Sequence, residues 1–155
     1  IPFLLMIPVI WMIISFLIPY FKIDIDILNL PMLVLATLLT LASMCIGMLF
    51  SIAIPSQLKA TELLMVISTP AFILSGFTWP TLAFPNAIAN IAQFIPSTQF
   101  LNGFRKIAFY GGDLASIKPQ INTLLLIIVV TFISMLVLLQ FKIFSSIKKQ
   151  KEYQV

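Results

Sequence analysis

The chain has 155 residues, of which 61% are hydrophobic and only 9% charged, against about 25% charged residues in ordinary globular chains. Nine basic and five acidic side chains cannot cover the surface of a soluble domain this size, so the composition is that of an integral membrane protein. The absence of histidine and the single cysteine exclude a His-paired nucleophile, an H-E-x-x-H zinc site and an internal disulfide.

Residues 1–21, 27–58, 63–104 and 119–141 contain no Asp, Glu, Lys or Arg. A helix needs about 20 apolar residues to cross about 30 Å of hydrocarbon. The first stretch predicts a span over residues 1–20 and the second a span over about 30–54. The fourth predicts one over 121–141. The chain opens at Ile1 on an apolar run with no basic region before it, which reads as the interior of a longer protein rather than a signal peptide.

The third stretch is too long for one helix. Residues 63–79 suffice for a span, but Pro80, Pro85 and Pro96 follow, each removing a backbone donor. Asn86, Asn90 and Gln93 recur at helical spacing opposite Ile88, Ile91 and Phe94, and Gln99, Asn102 and Arg105 repeat the polar stripe. Striped helices at membrane depth must pack against protein or line water. Residues 80–117 therefore predict a re-entrant helical pair. The expected fold is an all-α integral membrane protein with four transmembrane helices and that pair between the third and fourth.

With both ends in the cytoplasm, the inner side carries Lys59, Lys142, Lys148, Lys149 and Lys151, the last four on a tail of residues 142–155. The outer side carries Lys22, Arg105, Lys106 and Lys118. The densest basic cluster is then inside, where anionic lipid attracts it. Tyr20 and Trp79 close the first and third spans at one aromatic belt.

No acidic residue falls within the predicted spans, which argues against a proton-driven carrier or a two-aspartate intramembrane protease. Asp24 and Asp26 read as a solvated loop. The second span presents Thr40, Ser43, Gly47 and Ser51 along one side, a small-residue face suited to close helix packing. Cys45 reads as a small apolar filler. In the third span Pro70 interrupts the hydrogen-bond ladder, Gly76 permits close approach and Pro80 stops the helix. Arg105 could contact an anionic substrate or head group near the outer side, snorkel to phosphates, or cap a helix end beside Lys106.

In order along the chain stand Pro70, Ser75-Gly76-Phe77, Pro80, Pro85, Pro96, Arg105 and Gly111-Gly112. This ordered set resembles the signature of the type-2 ABC exporter permeases, and the resemblance covers nearly the whole chain. It departs from the family pattern at Phe84, where Met is common, and at Thr98 and Gln99, where an aromatic is common. The loop from Pro55 to Ala60, with Gln57 and Lys59, is similar to the family's second cytoplasmic loop near the ATPase.

The resemblance implies spans three to six of a six-span permease of the bacterial inner membrane. It also implies a second permease subunit, identical or paralogous, and a separate cytoplasmic ATPase that binds ATP and magnesium. No cofactor is expected on this chain, which has no P-loop, and no nucleic-acid partner. Ser75, Gly76, Phe77, Pro80, Pro85, Pro96 and Arg105 become candidate gate residues, with drugs or other amphipathic molecules as the substrate class. A periplasmic adaptor is a further partner that the resemblance allows. The rival readings are a non-transporting membrane scaffold, assembled through its small-residue faces, and a membrane enzyme acting on lipids.

Overall fold

The computed structural model describes residues 2–20, 29–78 and 84–152. Lys22, Asp24, Asp26, Trp79 and Pro80, singled out above, lie outside the described residues. Among these described residues six helices follow in order: α1 (Pro2–Tyr20), α2 (Leu30–Ala53), α3 (Gln57–Leu74), α4 (Asn86–Gln93), α5 (Pro96–Tyr110) and α6 (Lys118–Glu152). The protein is all-α, and the two short helices expected before the last span are α4 and α5. By length and composition, Leu30–Ala53, Gln57–Leu74 and Lys118–Phe144 can each cross a membrane, while α1 contains a shorter apolar stretch, Leu5–Leu17.

Local chemistry sets several helix ends. Pro31 and Pro96 sit in the first turns of α2 and α5, where a missing N–H removes no intrahelical bond. Helix α5 stops at Gly111, in the left-handed region at φ 59°. The Gly111 N–H donates to the Lys106 carbonyl, and the Gly112 N–H donates to the same carbonyl at 3.0 Å, so the glycine pair folds back over one of the helix's last carbonyls.

Three boundaries differ from the sequence reading. The first is the end of α3, which stops at Leu74 before a turn at Ser75 and Gly76, short of the span end expected at 79, because Gly76 takes a left-handed backbone angle. Helix α3 begins at Gln57, ahead of the apolar stretch that starts at Leu63, so Gln57 and Lys59 ride on its first turn instead of a loop. Helix α6 continues without a break through residues expected as a tail. Its 35 residues span about 52 Å at about 1.5 Å per residue, beyond the roughly 30 Å of hydrocarbon. Apolarity marks where a helix lies in lipid; hydrogen bonding carries it on into water.

The core lies where α2 meets α5 and α6. Met32, Leu35, Leu38 and Ala42 of α2 pack with Ile107 of α5 and with Ile117, Leu124 and Ile127 at and within α6. In lipid this cluster gains no hydrophobic transfer energy, so it holds by close contact. Gly103 leaves room for Leu35 of α2, since a Cβ there would stand 2.7 Å from a Leu35 methyl and that buried side chain would have to shift. Opposite this core, α6 exposes Leu125, Leu126, Val129, Val130 and Ile133, an apolar side suited to hydrocarbon.

Candidate functional site

Polar residues of the third apolar stretch come together at the C-terminal end of α3. The helix ends with Ser75, whose N–H donates to the Ala71 carbonyl at 2.9 Å and whose hydroxyl donates to the Phe72 carbonyl at 2.6 Å. Gly76 follows at φ 82°, the left-handed conformation that usually terminates a helix on glycine. Both are buried. The sequence reading assigned Gly76 to close packing; its backbone angle is the stronger requirement.

Helix α5 supplies the partners for this end. Arg105 donates through Nη2 to the Gly76 carbonyl, and the buried Thr98 hydroxyl reaches the Leu74 carbonyl at 3.4 Å. The last carbonyls of a helix carry partial negative charge, which a guanidinium complements. This contact has the form of the helix cap among the sequence readings of Arg105. The adjacent Lys106 points elsewhere, its ammonium donating to the Ser116 carbonyl at 3.0 Å just before α6. Neighbouring cations on α5 thus tie it to the end of α3 and to the start of α6.

Gln99 closes the α4–α5 corner, its amide donating to the Gln93 carbonyl at 2.7 Å. The polar stripe of α5 is thus spent largely on internal carbonyls. The stripe of α4 is exposed at Asn86, Asn90 and Gln93, and so are Ile88, Ile91 and Phe94. Of the remaining candidates, Phe77 is exposed and its ring lies 5.1 Å from that of Phe72. Pro85 precedes α4, and Pro96 begins α5. Pro70 lies within α3, which runs on to Leu74.

The small-residue face of α2 points away from the core. At about 100° per residue, Thr40, Ser43, Gly47 and Ser51 sit roughly opposite Leu35, Leu38 and Ala42. Thr40 is buried and donates to the Ala36 carbonyl at 2.8 Å. With Ser43 it lines a cleft of about 260 Å³ beside Met6 and Ile10 of α1. Gly47 and Ser51 line a second cleft of about 260 Å³, shared with Gln57, Ala60, Thr61 and Leu64 of α3. A Cβ on Gly47 would meet nothing within 4 Å. Cys45 is buried, as a filler should be.

Sequence reasoning missed Gly103, the Lys106–Ser116 tie, and Lys142, which donates to the Ile52 carbonyl at the end of α2. A basic residue just beyond an apolar run was the available signal for Lys142; its partner, 90 residues earlier, had none. Among the described residues no group of acidic, cysteine or histidine side chains could hold a metal.

Apolar helices packed in this way, with polar groups spent on helix ends, define a multi-pass membrane protein. The family model described as ABC-2 type transporter matches residues 1–109. The chain belongs to that family, whose members are transporter membrane subunits and not themselves catalytic. No match was found among curated proteins or solved structures.

Proposed function

We propose that this chain is the membrane subunit of an ATP-driven exporter in the bacterial inner membrane. It pairs with a second permease subunit and rests on a separate cytoplasmic ATPase. ATP and magnesium bind to that partner and no cofactor binds here. The ends of this chain face the cytoplasm, with Gln57 and Lys59 at the start of α3 on the ATPase side. The substrate is a drug-like or other amphipathic molecule, which an interface of apolar and small polar groups can accommodate.

The observation that supports a path is the exposure of α3. Ala60 is the only residue of α3 that is buried, although α3 is the least apolar of the three helices long enough to span. Thr61, Ser68 and Thr69 are all exposed. Between residues 125 and 137 the exposed side chains of α6 are all apolar, as lipid requires. The hydroxyl residues of α3 stand among exposed Leu58, Met65 and Phe72, a mixed surface that a path between two subunits, part protein and part water, accommodates.

Cysteine labelling tests this. In a Cys45→Ala background, Ser68→Cys and Thr69→Cys should react with a membrane-impermeant maleimide at least about tenfold faster than Leu126→Cys, because only a wetted thiol forms the reactive thiolate. Equal, slow labelling at all three positions would place α3 in lipid and remove the path from it.

A further inference from the structure

Helices α3 and α5 are held in different ways. Helix α5 is seated by packing: Ile107 is buried in the core cluster and Gly103 receives the fully buried Leu35. Lys106 adds a bond to the Ser116 carbonyl. Helix α3 buries almost nothing along its length. Its C-terminal end meets α5 through hydrogen bonds from Arg105 to the Gly76 carbonyl and from Thr98 to the Leu74 carbonyl, and beneath them Ser75 is only 1% exposed. Packed interfaces resist separation because opening them leaves voids. A charge-assisted hydrogen bond to a carbonyl can be exchanged for bonds to water at modest net cost. Although Ser75, Gly76 and Thr98 are buried within it and α3 also touches α2 and α4, the joint between α3 and α5 is therefore weaker than that between α5 and α2.

We propose that Arg105 is a positioning residue that latches the C-terminal end of α3 onto the α2–α5–α6 body, and that release of its bond to the Gly76 carbonyl frees that end of α3 during transport. The second half of the proposal rests on the exporter reading; the latch itself does not. The left-handed turn at Gly76, φ 82°, presents the carbonyl, and the guanidinium supplies the charge. Thr98, at 3.4 Å from its acceptor, is the weaker strand of the joint. Arg105 is only half-buried, so water can reach the joint once it loosens.

The test uses the full-length protein in its native membrane without nucleotide, so its outcome does not depend on whether an ATPase is engaged. Ser75→Cys, in a Cys45→Ala background, reports opening by its rate of reaction with a membrane-impermeant maleimide. Arg105→Gln should accelerate that reaction about tenfold, the population change that corresponds to roughly 1.4 kcal/mol. Arg105→Lys keeps a charged donor and should restore most of the protection. Leu124→Cys, in the core at 0% exposure, should stay unreactive in every variant. An unchanged rate at Ser75→Cys in Arg105→Gln would overturn the latch. Faster labelling at Leu124→Cys as well would also overturn it, since Arg105 would then support the whole bundle.

Discussion

Gly76→Leu should insert and accumulate normally yet lose about tenfold or more of its export activity. A leucine held at φ 82° costs roughly 1–2 kcal/mol, because its Cβ crowds the following carbonyl. Turning the backbone to relieve that strain displaces the carbonyl that Arg105 holds, which forfeits roughly 1.5–3 kcal/mol of charge-assisted hydrogen bond. The spans themselves are untouched, so the loss should appear in flux and not in the amount of protein in the membrane. Wild-type export by this variant would remove the Gly76 turn from the mechanism.

Leu124→Ala should lower the thermal midpoint of the detergent-solubilised protein by several degrees, while Leu126→Ala should leave it nearly unchanged. Both residues lie on α6, two positions apart. Leu124 is fully buried against α2 and α5, whereas Leu126 is 53% exposed. Removing Leu124 opens a cavity of the kind that costs about 2–5 kcal/mol in soluble proteins. The low end applies here, because lipid supplies no hydrophobic transfer term and only lost contacts count. Around Leu126 an acyl chain or detergent tail fills the space at once. Scanning calorimetry or fluorescence melting of the two variants, side by side, measures the contrast. Equal shifts would mean that the α2–α5–α6 cluster is not the packed core.

The parts of the fold that were legible in the sequence are those set by chemistry local to a few residues. Pro80, Pro85 and Pro96 marked a break after the third span through their missing donors, whereas the roles of Gly111 at the end of α5 and of Gly76 after α3 emerged only from their backbone angles. The apolar stretches, also a local property, located the long helices. Their ends were misjudged at Gln57 and beyond Phe141 because hydropathy reports the surrounding solvent and not the hydrogen-bond ladder.

Pairings were not legible. Gly76 and Arg105 lie 29 residues apart, and nothing in either segment announces the other until α5 is seated on α2. The stripe Thr40, Ser43, Gly47 and Ser51 was visible as a pattern, but a pattern of small residues does not say which helix faces it. Here it faces two clefts and the packed face lies on the other side. Gly103 escaped notice for the complementary reason: a lone glycine inside a polar-striped helix shows its purpose only when Leu35 is placed against it.

The claim that this ABC-2 family member is the membrane half of an ATP-driven exporter is most directly tested by its company. Full-length protein, tagged and gently solubilised from its native membrane, should bring with it an ATP-hydrolysing subunit in equal molar amount. The complex should hydrolyse ATP, and the rate should change when amphipathic candidate substrates are added. Repeated mild purifications that yield the protein with no ATPase subunit would contradict the account and leave an assembly scaffold as the better reading.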